Sequence, residues 1–160
     1  MVSLSPTAQK VQDFLRGLGP QYIVIEHAES TRTAQEAADR VGCRLGQIVK
    51  SLVFKSLPSN RGILVLTSGS NRVDEGKISQ YVGEAIGRAD PDFVRSMTGF
   101  AIGGVPPVGL AQPLVTYIDE DLIQYTSVWA AAGTPKAVFE VEPSNLVKIT
   151  GGKIVRVRPE

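Results

Sequence analysis

The stretch that most restricts how this chain can fold is Ile48-Val49-Lys50-Ser51-Leu52-Val53-Phe54. It is the strongest strand signal in the sequence, rich in branched and aromatic residues. Ser59-Asn60-Arg61-Gly62 makes a turn, and Ile63-Leu64-Val65-Leu66 forms a second apolar strand. The pair predicts a hairpin with a longer loop, and a hairpin needs further strands or helices to cover it.

Those covering elements are legible on both sides. Ser5-Pro6 reads as an N-cap with proline at the first helical position, and Val11, Phe14, Leu15 and Leu18 follow at helical spacing up to Gly19-Pro20. Tyr22 to Ile25 reads as a strand. Thr33 and Glu36 form a capping-box pattern for a helix closed by Gly42. Asp74 caps a predicted helix whose stripe is Ile78, Tyr81, Val82, Ala85 and Ile86, and Asp90-Pro91 starts another through Met97. After a glycine- and proline-rich loop, Gly99 to Gly109, strands are expected at Leu114 to Ile118, Val128 to Ala132 and Val138 to Val141. A helix near Ser144 to Ile149 and a strand at Lys153 to Val157 complete the chain. Short strands mixed with helices in no regular βαβ order predict an α+β fold with a mixed, mainly antiparallel β-sheet. At 160 residues the chain has the size of one domain, 1–160, with 42% hydrophobic and 21% charged residues.

Composition removes several classes of function. A single cysteine, Cys43, excludes an internal disulfide and any zinc site built on several thiolates. One histidine, His27, excludes a three-histidine zinc centre. No metal and no cofactor is expected. No apolar run approaches the length of a membrane span, and the first residues lack the basic and apolar regions of a signal peptide, so a cytoplasmic protein is expected. The formal net charge of +1 does not suit a protein that grips long nucleic acid by charge alone; an RNA partner would be recognised at an end or a loop.

Five features could carry chemistry. In a strand, Ile48, Lys50, Leu52 and Phe54 share one face, so Lys50 stands among three large apolar side chains. Such an ammonium is costly unless it is paired or used, and the alternative is an edge lysine that snorkels to water. Gly103-Gly104-Val105-Pro106-Pro107-Val108-Gly109 can donate backbone N–H groups to a carbonyl or oxyanion, or can be a rigid connection. Ala132-Gly133-Thr134-Pro135-Lys136 reads first as a hairpin turn, and also as a pocket closure carrying the Thr134 hydroxyl. In Ser68-Gly69-Ser70-Asn71-Arg72-Val73-Asp74, Arg72 suits a phosphate, while Asn71 and Asp74 suit a turn and a cap. His27 reads as structural, because no nucleophile with a motif accompanies it; Cys43 merely follows a helix end.

Together these segments resemble the YbaK family, which shares its fold with the editing domain inserted into bacterial prolyl-tRNA synthetases. The resemblance runs through Ser30 to Ala38, Gln47 to Phe54, Gly99 to Gly109, Tyr117 to Leu122 and Val128 to Gly133, in order and over nearly the whole chain. It implies a partly curled sheet surrounded by short helices. It also implies trans-editing: hydrolysis of mischarged aminoacyl-tRNA, typically tRNA for proline carrying a small wrong amino acid such as alanine, cysteine or serine. Lys50 matches the family's essential lysine, and Gly103 and Pro107 the ends of its substrate loop. The implied catalytic group is Lys50 with Gly103 and Gly104. Substrate is then expected at Thr31, Ile48, Leu52, Phe54 and Ser68, and at Arg72, Val105, Pro107, Gly133 and Thr134, with Ala130 to Ala132 as further wall. Thr134 stands where some members carry a histidine or aspartate that selects the amino acid. Arg32, Arg44, Arg72 and Lys136 are candidate phosphate contacts. The expected partners are the aminoacyl-tRNA acceptor end and prolyl-tRNA synthetase. The rival readings are a non-catalytic module that binds an RNA end or nucleotide and associates with the synthetase, and a fragment that only docks on it.

Overall fold

The computed structural model describes residues 3–31 and 33–160. The helices are α1 (Pro6–Leu18), α2 (Ala34–Val41), α3 (Glu75–Val82), α4 (Pro91–Thr98) and α5 (Pro143–Thr150). The strands are β1 (Val24–Glu26), β2 (Val49–Ser56), β3 (Gly62–Ser68), β4 (Ile86–Arg88), β5 (Val115–Asp119), β6 (Val128–Ala131), β7 (Ala137–Val141) and β8 (Lys153–Val155). None of these helices is long and apolar enough to cross a membrane.

Two sheets form, in the orders β4-β2-β3-β5-β8 and β1-β7-β6. β3 pairs in parallel with β5, and β5 with β8; the other pairings are antiparallel, as the mixed, mainly antiparallel α+β expectation required. Among the described residues the sheets meet at one parallel bridge, Ile48 to Trp129, and do not close into a barrel.

β3 is buried along its whole length, which its continuous apolar sequence requires. Its Leu64 and Leu66 join Val49 and Val53 in the main core, together with α1 and the β6–β7 strands. Its Ile63 and Val65 face the other way, with Phe54 and Leu52 of β2, Ile78 of α3 and Tyr117 of β5. Lys50 pairs with Thr67 and belongs to this second face by alternation.

The peptide groups of β2 also alternate. Ile48 O accepts from Gly69 N–H and Ser56 N–H donates to Arg61 O, both toward β3, whereas Leu57 N–H donates to Ala85 O on the β4 side. Val49, Ser51 and Val53 therefore turn their peptide groups away from β3. On that side β6 is bridged only at Ile48, and β4 pairs only with Phe54, Lys55 and Ser56. Between them, among the described residues, the edge of β2 has no partner strand.

Of the boundaries that differ from the sequence reading, two have a visible local cause. The expected strand Tyr22 to Ile25 begins later, at Val24, because the buried Gln12 amide occupies its first peptide groups: Nε2 donates to Tyr22 O at 2.9 Å and Val24 N–H donates to Oε1 at 2.7 Å. The helix expected through Ile86 stops at Val82. Gly83 adopts a left-handed conformation, φ 84°, and returns its N–H to Ser79 O, so Ile86 opens β4 instead.

Candidate active site

Two cavities lie along the open edge of β2. The first, about 320 Å³, is walled by Ile48 to Leu52, by Ala34 and Ala37 of α2, by Trp129 to Ala131, and by Ile102, Gly103, Val105, Thr134 and Pro135. The second, about 430 Å³, is walled by Lys50 to Phe54, Arg72, Val73, Glu75, Arg88, Ala89, Val94, Ile102 and Val105. Lys50, Ser51, Leu52, Ile102 and Val105 belong to both, so they form the partition between a largely apolar chamber and a charged one.

Lys50 is half-buried at this partition. Its Nζ donates to the main-chain oxygen of Asn71 at 2.7 Å. An ammonium has three hydrogens, so two remain for a ligand. Burial holds its pKa below the ordinary lysine value, and the charge of Asp119 works in the opposite direction. Asp119, at the end of β5, is fully buried. Its carboxylate accepts from Ser68 N–H (2.9 Å), Asn71 Nδ2 (2.8 Å) and Asp121 N–H (2.9 Å). Asn71 Nδ2 also donates to Asp121 Oδ2 at 2.8 Å, and Arg158 donates to that same oxygen at 2.7 Å.

The Gly99–Gly109 loop closes the apolar chamber differently from the sequence expectation. Gly103, at φ 92°, lines it, and among the described residues its N–H makes no hydrogen bond. Gly104, expected beside it as a second donor, does not line either cavity. Its N–H is already given to Ala101 O at 3.0 Å, and its oxygen accepts from Gly133 N–H at 2.8 Å. Gly133 is likewise a loop-to-loop contact and not a wall residue, and Pro107 is buried and lines neither cavity. Ser68, also expected at the substrate, is buried and donates to Gly46 O at 2.7 Å.

Thr31, Ile48, Leu52, Val105 and Thr134 do line the apolar chamber, with Ala130 and Ala131. The Thr134 hydroxyl is engaged, however: it donates to Glu26 Oε2 at 3.2 Å and accepts from Lys136 N–H at 3.2 Å. Glu26 also takes Ser5 N–H at 2.6 Å and Ser5 Oγ at 2.8 Å. Burial pushes the Glu26 carboxyl up, but the bonds from Ser5 and Thr134 and the charge of Lys136 outweigh it and leave its pKa lowered. Phe54 and Arg72 are brought to the charged chamber and not to the apolar one. Arg44 and Lys136 are exposed and line neither cavity, and Arg32 lies outside the described residues.

Sequence reasoning missed Ile102, which is 55% exposed yet touches both chambers, and Arg88, which rides on the unforeseen β4. It also missed Ser51, whose Oγ is buried at the partition and, among the described residues, has no hydrogen-bond partner. Alternation assigned Ser51 to the core face, and nothing in its neighbours signalled that the edge beside it would be open. Among the described residues, no group of three or more His, Cys, Asp or Glu could hold a metal ion.

A lysine ammonium between an apolar chamber and one carrying two guanidinium groups suits a ligand with a small apolar end, a polarisable junction and an anionic end. Comparisons with known proteins supply the family. The family model described as "Aminoacyl-tRNA editing domain" matches residues 28–149. The chain is 32% identical over 131 residues to the protein YwhH of Bacillus subtilis, covering 82% of this chain and 83% of that one. It is 24% identical over 131 residues to EbsC of Enterococcus faecalis, a candidate Cys-tRNA(Pro)/Cys-tRNA(Cys) deacylase, covering 81% and 79%. A crystal structure of a candidate trans-editing enzyme for prolyl-tRNA synthetase superimposes with a TM-score of 0.94 at 49% identity, covering 99% of this chain and 100% of that one. The chain belongs to the aminoacyl-tRNA editing domain family, and its class of enzyme is aminoacyl-tRNA deacylase.

Proposed function

We propose that this protein hydrolyses, in trans, tRNA for proline that carries a small wrong amino acid such as alanine, cysteine or serine. The observation that carries the reading is the position of Lys50 at the partition of two chambers of opposite character. The amino-acid side chain enters the apolar chamber, the ester lies at the partition, and the terminal ribose and phosphate extend toward Arg72 and Arg88. Neither arginine makes an ion pair among the described residues, so both are available to an anion.

An aminoacyl ester is already activated, so the site needs position and charge stabilisation more than a strong nucleophile. The two free N–H groups of Lys50 and the N–H of Gly103 are the donors offered to the carbonyl as it gains negative charge. Water, or a hydroxyl of the substrate itself, supplies the attacking oxygen. Proline is rejected by shape. Val105, Ile48 and the engaged Thr134 give the chamber apolar walls, and such walls distinguish single methylenes by only about 1–3 kcal/mol. A rigid ring that does not fit is a larger difference. The reading also takes prolyl-tRNA synthetase as a partner, since a net charge of +1 gives little general attraction to tRNA.

The test is a panel of tRNA for proline charged with alanine, cysteine, serine or proline, with wild type and Lys50→Ala. Deacylation of at least one small aminoacyl form, well above the prolyl form, is expected, and loss of the lysine should reduce it about 10²–10³-fold. Equal rates on the prolyl and alanyl forms, or a Lys50→Ala enzyme within a few-fold of wild type, would overturn the reading.

A further inference from the structure

We propose that Asp119, acting through Asn71, is the positioning group for the Lys50 ammonium. The inference rests on the reading of Lys50 as the residue that meets the ester. Asp119 presents a full set of acceptors to main-chain and amide donors, yet among the described residues no cation touches its oxygens. A buried ionised carboxylate is costly without compensating charge. Asn71 connects it to one. The Asn71 side chain is gripped by Asp119 and Asp121, and its main-chain oxygen receives the lysine. The Asn71 NH2 group donates to both carboxylates, one hydrogen each, so the orientation of the amide is fixed by its neighbours.

The consequence is geometric and electrostatic. The geometric part aims Lys50: one hydrogen is committed to Asn71 O, which leaves the other two directed by a loop that cannot rotate while both carboxylates hold it. The electrostatic part favours the charged form of a lysine that burial would otherwise deprotonate more easily. The other charged groups at the same chamber are Arg72 from the β3–α3 loop, Glu75 from α3 and Arg88 from β4. The charge of Asp119 acts against burial and favours the ammonium of Lys50.

Two variants separate the two parts. Asp119→Asn keeps the size and most of the contacts but removes the charge. Asn71→Ala keeps the main-chain oxygen but releases the loop. The readouts are kcat and KM for the aminoacyl-tRNA that wild type hydrolyses, the alkaline limb of the pH–rate profile, and the 13Cε titration of Lys50, assigned by its disappearance in Lys50→Met. Asp119→Asn should lower the Lys50 midpoint and move the alkaline limb to lower pH. Asn71→Ala should reduce kcat by about 10–10²-fold with little change in KM, as expected for a misaimed catalytic group. A purely structural role would move neither the midpoint nor the limb. The proposal is overturned if Asp119→Asn folds and leaves both unchanged, or if Asn71→Ala folds and keeps the kcat of wild type. Should Asp119→Asn fail to fold, Asn71→Ala decides alone. These failures are distinct from failure of the functional reading, which would appear as activity in Lys50→Ala.

Discussion

Replacing Gly104 by alanine tests how tightly the two loops of the apolar chamber are locked. An added Cβ would stand 2.7 Å from Gly133 O, 2.7 Å from Thr134 Cα and 2.8 Å from Gly133 C. All three are backbone atoms, so no rotamer change can relieve the contact. Gly133 has little room to retreat, because α1 lies behind it: even a Cβ built on Gly133 would stand 3.0 Å from Val11 Cγ2 and 3.1 Å from Thr7 Cγ2. Overpacking of this kind costs about 1–3 kcal/mol. Separation of the loops would also break the bond from Gly133 N–H to Gly104 O, worth about 1 kcal/mol. Together the loss is about 2–4 kcal/mol, or a fall in Tm of about 5–15 °C for a chain of this size. Gly103→Ala is the control. Its Cβ meets only Pro135 Cγ, at 3.7 Å, but its φ of 92° strains an L-residue by about 1–3 kcal/mol without parting the loops. Thermal unfolding followed by circular dichroism gives the stability of each. Deacylation far below both melting temperatures gives the effect on the site: Gly104→Ala should lose selectivity between small side chains and proline, and Gly103→Ala should lose rate. A Gly104→Ala protein that melts within about 2 °C of wild type and discriminates as well would refute the argument from close approach.

Three further outcomes are expected. Lys50→Met should be inactive yet no less stable than wild type near neutral pH: burial lowers the lysine pKa, so the charged form opposes folding below that value, and the opposition fades as pH rises through it. Urea unfolding at about pH 7 and about pH 10 checks the sign. His27 is held below its ordinary value by burial and by Arg40, so its contribution to stability is full above 6.5 and is lost as pH falls through the lowered value; Arg40→Met should weaken that loss, measured as urea midpoints across the range. Arg72→Ala and Arg88→Ala should each raise KM without changing the preferred amino acid, and each should reduce the salt slope of acceptor-end binding by about 0.7, the value for one phosphate contact on a single strand.

The sequence located the lysine because alternation is a local property. Lys50, Leu52 and Phe54 share a face in the structure as their spacing requires, and the hairpin partner Ile63 to Leu66 is where composition placed it. The division of that face into two chambers was not legible. It depends on which strands stop short beside β2, and β4 was hidden in a helical stripe that Gly83 ends. Thr134 shows the same limit more sharply. Its hydroxyl looks available in a turn sequence, and is taken by Glu26, 108 residues away along the chain. Gly104 was read from its freedom to expose an N–H, whereas its lack of a side chain is used to let two loops touch. Local patterns named the residue types of the site; contacts between distant segments decided what each of them is free to do.

The open edge of β2 bears on how the protein avoids sticking to itself. An unpaired strand edge is a template for pairing with another chain. Here the unpaired run, Val49 to Val53, is bounded by β6 at Ile48 and by β4 at Phe54. It spans roughly 17 Å at the usual rise per residue. A foreign strand approaching to bonding distance would have to occupy the row that β6 and β4 already fill at either end. A ligand only one residue long, attached to a nucleotide, meets no such obstacle. The interruption at which the proposed reading seats an aminoacyl group is therefore also a filter against polypeptide, and lengthening it by removing β4 would open the edge to self-association as readily as to substrate.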